Sequence, residues 1–220
     1  MKKLKQTPSQ TVGPFFAYSL TAEQYGYDFN SIITGDLGDF SFEKMSKNTS
    51  NTEGVSDVGF GLSAVGNSPK PIFIIGKIFD GAYNSVPDAV IELWQADEKG
   101  QYRTTKIQGK RDGFTGFGRL GTGTNREHRF TFQTIKPASV DGQAPHIDVI
   151  IFMRGLLLHL HTRLYFSDET SANTTDELLN SMPEDRRNTL IANKININGS
   201  TFYEFNVYLQ GEKETLFFDI

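Results

Sequence analysis

The 220-residue chain contains no cysteine, which excludes a disulfide framework, a thiolate metal site and a thiol nucleophile. It also lacks any apolar run near the ~20 residues that span a bilayer. Its start, "MKKLKQTPSQTVGPFF", has no apolar h-region of a secretory signal. These features predict a cytoplasmic protein with no membrane partner. The sequons at Asn48, Asn173 and Asn198 then read as chance matches. Excess positive charge is missing too: 22 Lys and Arg stand against 26 Asp and Glu, a formal net charge of −4. Phosphate binding needs a basic face, and the cations here are scattered, so no nucleic-acid partner is expected. Phenylalanine and glycine are abundant, with 18 and 21 residues. A chain this long, 37% hydrophobic, can bury one sizeable core.

Residues 1–19 read as an N-terminal arm, extended through "TPSQTVGP" (7–14), which has two prolines and no apolar periodicity. Residues 46–70, rich in Ser, Asn and Gly, read as a long loop. From residue 71 the pattern becomes strands and turns. "IFIIGKIF" (72–79), "AVIELWQA" (89–96), "HRFTFQTI" (128–135), "HIDVIIFM" (146–153) and "LLLHLHTRLYF" (156–166) are β-rich runs. "TTDELL" and "PEDRRNTLIA" predict short helices. Asn198-Gly199, between two alternating runs, predicts a hairpin. The whole predicts a single domain over 1–220, mainly β, an antiparallel β-sandwich with short helices. Trp94, the one tryptophan, reads as core. Arg119 reads equally as the partner of an acid such as Asp97 or as an interface residue.

Two histidines, His159 and His161, lie two residues apart in the last of those runs. Side chains at i and i+2 of a strand share a face, and imidazole is the commonest side-chain metal ligand. No third ligand stands at a suitable spacing. The face formed by His159, His161, Arg163 and Tyr165 therefore reads as a polar or interface stripe, opposite Leu158, Leu160, Leu164 and Phe166.

The stretch "GKIFDGAYNSVPDAVIELWQADEKGQYR" (76–103) resembles the intradiol ring-cleavage dioxygenases. In that family a strand ends in E-x-W-Q-A-D and is followed by a turn and G-x-Y. "TPSQTVGPFF", "GFGRLGTGTNREHRFTFQTIKP" (116–137), "APHIDVII" (144–151), "TRLYF" (162–166) and "FFDI" match in the same order. The resemblance implies a prealbumin-like sandwich and Fe(III) chemistry on a catechol. It also implies an iron site of two tyrosinates and two histidines, in which anionic oxygen donors suit a hard Lewis acid.

Carried onto this chain, that ligand set is incomplete. Tyr102 and His146 match the first tyrosine and the first histidine. No tyrosine lies between Pro137 and His146, where Ser139 and Val140 stand, and the H-x-H after Pro145 has become His146-Ile147-Asp148. Two ligands do not retain iron against water and chelators. The resemblance thus marks Tyr102, His146 and Asp148 as vestigial iron-site positions, with no metal and no catalytic residue in this chain. His159 and His161 follow the family's ligand strand and do not align with its pair.

The resemblance further implies an α/β heteromer in which a homologous β chain binds Fe(III) and cleaves protocatechuate with O₂ to 3-carboxy-cis,cis-muconate. This chain, as the α chain, would complete the pocket. Thr11, Gly13 and Pro14 of the arm would approach the partner's iron pocket, the glycine allowing close backbone approach. Phe15 replaces the tyrosine usual after that Gly-Pro. Arg154, read from the residues alone, is a solvated turn residue. By resemblance it faces the substrate carboxylate as a bidentate fork. Two other readings stay open: a self-sufficient metalloenzyme using His146 and Asp148, and a non-catalytic sandwich that binds a small aromatic ligand.

Overall fold

The computed structural model describes residues 10–13, 15–21, 24, 70–102, 114, 116–124 and 126–219. The 46–70 loop, Lys70 apart, and Pro14 lie outside them. After a short helix α1 (Phe16–Leu20) come β1 (Ile72–Phe79), β2 (Val90–Trp94), β3 (Phe117–Gly121), β4 (Arg129–Thr134), β5 (His146–Phe152) and β6 (Leu160–Phe166). Three short helices follow, α2 (Thr170–Thr175), α3 (Glu177–Ser181) and α4 (Glu184–Arg187), then β7 (Ile191–Ile197), β8 (Ser200–Glu204) and β9 (Val207–Tyr208).

Alternation builds the layers. In β1, Ile72, Ile74 and Ile78 point inward while Phe73, Ile75 and Lys77 point out. The strands run in the order β3-β2-β5-β6-β7-β8-β1-β4, with β9 on β1. The two halves of this path face each other. Ile91, Leu93, Leu120, Ile147 and Val149 of the first half share one buried cluster with Ile74, Phe130, Phe132 and Tyr203 of the second. Each such side chain contributes roughly 1.5–3 kcal/mol on burial. Gly76 lies where a Cβ would overlap the Phe205 carbonyl and the Phe130 ring, so β1 needs glycine to pass beneath that segment.

The expected mainly β sandwich is therefore found, and Asn198 and Gly199 adopt the left-handed φ values (49° and 81°) of the expected hairpin turn. Several details differ. The pairings β1–β8, β1–β9 and β6–β7 are parallel, because the chain returns to β1 and β6 from distant sequence. The arm is not extended throughout, since residues 16–20 form α1, whose Ala17 is buried and whose Phe16 ring packs on Phe152 at 5.6 Å. "TTDELL" is split at Asp176, whose carboxylate accepts the Leu179 N–H and caps α3. The helix expected over 183–192 gives way to strand at Ile191, where β7 pairs with Tyr165 and Phe166 of β6. The last run becomes strand only at Leu160, because Arg154 and Gly155 turn the chain out of β5. No helix among the described residues is long and apolar enough to cross a membrane.

Candidate functional site

The outer face of the β3-β2-β5-β6 half carries His146 and Asp148, two of the positions that the resemblance marks. Cross-strand register sets Phe117, Trp94, Asp148 and Arg163 in one row, with His146 opposite Tyr165 in the next. α1 covers one end of this face through Phe16 on Phe152, and the α2–α4 region covers the other through Leu179 and Leu190 on Tyr165. The middle stays partly open. Trp94, expected in the core, is 44% exposed here, its ring 4.4 Å from that of Phe117 and its indole N–H 3.4 Å from Glu92. Its neighbours Leu93 and Ile91 take the inward places, so strand parity sends Trp94 out. Arg119 bonds not to Asp97 but to Glu92, its direct cross-strand partner, at 2.8 Å from Nε.

Asp97 instead builds the turn that presents Tyr102. Its Oδ1 accepts the N–H groups of Lys99 (2.9 Å) and Gln101 (3.0 Å). Gly100, at φ +75°, completes the turn, and a Cβ there would lie 2.5 Å from the Ser139 carbonyl oxygen. The turn thus packs on the segment where the family places its second tyrosine. Buried Gln95 ties the same corner to β4, accepting from Thr134 Oγ1 at 2.7 Å and donating to Ile135 O at 2.9 Å.

The structure brings Tyr102, His146 and Asp148 into one neighbourhood and adds Arg163, which the sequence placed only in the polar or interface stripe. Its Nε donates to Asp148 Oδ1 at 2.8 Å and a terminal nitrogen to Gln143 Oε1 at 2.6 Å. The buried Tyr165 hydroxyl lies beside this guanidinium without a hydrogen bond of good geometry. Burial raises the Tyr102 pKa, the Asp148 charge adds to the rise, and Arg163 opposes it. Burial likewise lowers the His146 pKa, although its Nδ1–H donates to Ala144 O at 2.7 Å. That carbonyl belongs to a residue whose own N–H donates to Asp176 Oδ2 at 2.7 Å, so the α3 cap also steadies the histidine.

This donor set does not fit a ferric ion. Burial biases the Tyr102 phenol toward its neutral form, whereas a ferric ion takes the phenolate. The neutral imidazole of His146, its Nδ1 held by Ala144 O, is the form that ligates, but the one carboxylate, Asp148, is already bound to Arg163. Among the described residues no group of three or more His, Cys, Asp or Glu could hold a metal. His161 sits on the same face, Nε2 3.7 Å from Asp148 Oδ1, covered by the Phe218 ring at 6.0 Å. His159 lies outside the strand against Phe152, so the two imidazoles face different neighbours. At the end of the expected polar or interface stripe, Tyr165 is wholly buried under the helices.

A second locus forms at the β5–β6 turn, where Arg154 and Gly155 stand. The Gly155 N–H donates to Thr11 Oγ1 at 2.8 Å, joining the arm to the turn across 144 residues of sequence. Gly155 has φ +87°, a conformation that favours glycine. The Arg154 Nε donates to Asp88 Oδ2 in the β1–β2 loop, and no further bond of its guanidinium is made among the described residues. Gly13 accepts from the Phe16 N–H at 3.1 Å, and a Cβ on it would meet nothing within 4 Å. Phe15, Leu157 and Leu158, in these same two segments, are 75%, 65% and 68% exposed.

A sandwich with these motif positions on one sheet face defines a class. The model of the dioxygenase family Dioxygenase_C matches residues 49–211, and the chain belongs to that family, the intradiol ring-cleavage dioxygenases. Over its full length it is 40% identical to the protocatechuate 3,4-dioxygenase alpha chain of Burkholderia cepacia, covering 100% of both. The beta chain of the same organism's enzyme is 28% identical over 66% of each chain. Among solved structures, the dioxygenase domain of a dioxygenase carbohydrate-binding protein fusion from Streptomyces sp. SirexAA-E is 26% identical. It aligns with a TM-score of 0.53 over 75% of this chain and 96% of that one.

Proposed function

We propose that this chain is the α chain of a cytoplasmic αβ protocatechuate 3,4-dioxygenase, completing a pocket whose iron is held by a homologous β chain. The iron would supply Lewis-acid activation of the catecholate toward O₂. This chain would contribute the arm segment around Thr11, Gly13 and Pro14 and the guanidinium of Arg154. The observation that carries the reading is the contrast within one chain. Of its vestigial positions, Asp148 is taken up by Arg163, while among the described residues Arg154 keeps an unbonded guanidinium edge at the turn that holds the arm, near exposed Phe15, Leu157 and Leu158. Such apolar groups around a charged fork suit a partner surface with a polar anchor.

The test is co-expression with a homologous chain bearing both tyrosines and the H-x-H. The complex should hold about one iron per αβ pair and cleave protocatechuate, and this chain alone should hold no stoichiometric iron. Arg154→Ala removes a charge-assisted contact of about 1.5–3 kcal/mol. It should raise KM for protocatechuate roughly ten- to a hundredfold. Arg154→Lys should recover only part of this, since a point charge does not reproduce the planar fork. Catechol, without a carboxylate, should respond little. Equal weakening of both substrates would show that Arg154 serves assembly or pocket shape instead.

A further inference from the structure

The contacts behind Arg154 single out Asp88, a residue within the 76–103 stretch. Asp88 belongs to the "NSVPDAV" loop between β1 and β2, and its carboxylate accepts the Arg154 Nε–H across 66 positions of sequence. The Asp88 side chain is 16% exposed and that of Arg154 56%, so a sunken carboxylate grips a protruding guanidinium near its stem.

The loop that carries Asp88 is braced on both sides. The hydroxyl of fully buried Thr122 donates to Val86 O at 2.8 Å and accepts the Ala89 N–H at 3.1 Å. The Thr122 N–H donates to Ala89 O at 2.9 Å, and the Val86 N–H to Ile78 O at 2.8 Å. Pro87, immediately before Asp88, has its φ set by its ring. Asp88 therefore stands between two backbone positions pinned to the ends of β1 and β3. On the opposite side, Thr11 holds the Gly155 N–H at 2.8 Å, so the backbone of the turn is fixed as well.

A guanidinium offers five N–H donors in a planar fork. Taking the Nε donor leaves the pair of terminal nitrogens, whose spacing matches a carboxylate. A long arginine that protrudes this far samples many rotamers unless something restrains it. The Asp88 charge also offsets that of Arg154, so a second carboxylate is held more by the geometry of the free edge than by net charge.

We infer that Asp88 is a positioning residue for the carboxylate-binding function of Arg154, fixing the plane of its guanidinium so that the terminal nitrogens meet the substrate as a pair. This rests on the reading of Arg154 given above. The test uses the co-expressed αβ complex with Asp88→Ala, Asp88→Asn, Arg154→Ala and the double variant Asp88→Ala/Arg154→Ala. Steady-state kinetics on protocatechuate and catechol are read alongside iron content and sizing. Asp88→Ala should raise KM for protocatechuate about 5–20-fold, with kcat and catechol turnover little changed. Asp88→Asn keeps an oxygen acceptor for Nε and should stay within about threefold of the parent. In the Arg154→Ala background, Asp88→Ala should add nothing, because its effect runs through the arginine.

Multiplying effects in the double variant, or an equal loss on catechol, would overturn the assignment, since Asp88 would then act on fold or assembly. Asp88→Asn as damaging as Asp88→Ala would also overturn it, in favour of a purely electrostatic role. If Asp88→Ala does not assemble, Asp88→Glu asks the same question by displacing the carboxylate one methylene, with a selective KM rise expected and a catechol loss refuting. A non-selective Arg154→Ala removes the parent reading itself. A selective Arg154→Ala beside a silent Asp88→Ala removes only the role of Asp88.

Discussion

Arg154 and Arg163 belong to the same β5–β6 hairpin and do opposite things. Arg163, its side chain 17% exposed, spends its fork on Asp148 and Gln143 inside the protein. Arg154, 56% exposed, bonds through Nε and, among the described residues, makes no bond through its far edge. One arginine is satisfied inside the protein, and the other keeps its terminal nitrogens unbonded among the described residues. Whether a guanidinium is structural or available to a ligand follows from how many of its donors the fold already satisfies. Residue type says nothing about it.

The largest test of this contrast is stability. Arg163→Ala strands a partly buried carboxylate and an amide oxygen, and should destabilise by about 2–3 kcal/mol. Arg154→Ala also leaves a sunken carboxylate, Asp88, but removes one bond from a protruding guanidinium and strands no amide, so it should cost less, about 1 kcal/mol. Urea midpoints of the two variants should therefore differ clearly, and a reversed order would break the comparison. Arg163→Ala should also raise the His161 pKa. Burial holds it below the ordinary histidine value and the Arg163 charge lowers it further, while Asp148 raises it. With the guanidinium gone, a protonated His161 can pair with Asp148, so the stability loss should shrink as pH falls through the new His161 pKa. NMR titration of the imidazole would follow it.

A smaller effect concerns the closed charge cluster past the end of β6. Asp168 accepts from Lys136 (3.0 Å), Lys194 (2.8 Å) and the Tyr203 hydroxyl (3.0 Å). Partial burial opposes ionisation, yet the bonds from Lys194 and Lys136 outweigh it and lower the carboxyl to about 2. Because the folded pKa is depressed, this contribution is present above the unfolded value near 3.8 and is lost as pH falls from there to about 2. Discounted for solvent screening, it is worth about 1 kcal/mol. Asp168→Asn should remove it at neutral pH and flatten acid unfolding between pH 4 and 2. An unchanged acid limb would show that the cluster does not couple to folding.

The smallest effect is expected at the two histidines that first suggest a metal. His159→Gln with His161→Gln should leave the iron content of the complex unchanged and shift stability by under about 1 kcal/mol. Loss of iron with assembly intact would make them ligands after all. Loss of assembly would identify the turn and strand start as an interface.

Much of this was legible in the sequence for definite reasons. The alternation of Ile72, Ile74 and Ile78 suffices to define β1, because a half-buried strand writes its parity into composition. Asn198-Gly199 announces its hairpin because both residues accept a left-handed backbone. The missing tyrosine after Pro137 and the aspartate at 148 are plain in the residues themselves. Trp94 departs from its expected core place because hydrophobicity speaks for burial, while its exposure depends on whether another layer covers the outer face at that row. Here α1 and the α2–α4 region cover only the ends.

The sequence by itself thus determined the strand-rich class, the glycine turns and the absence of a tyrosine between Pro137 and His146, since each is written in local periodicity or in residue identity. Only the tertiary structure decided that Arg163 would neutralise Asp148, that Thr11 would fasten the arm to Gly155, and that Asp88 would grip Arg154. Those contacts join residues 15, 144 and 66 positions apart. They exist because register and layer packing bring distant segments to one place, and no local pattern encodes which charge will find which partner there.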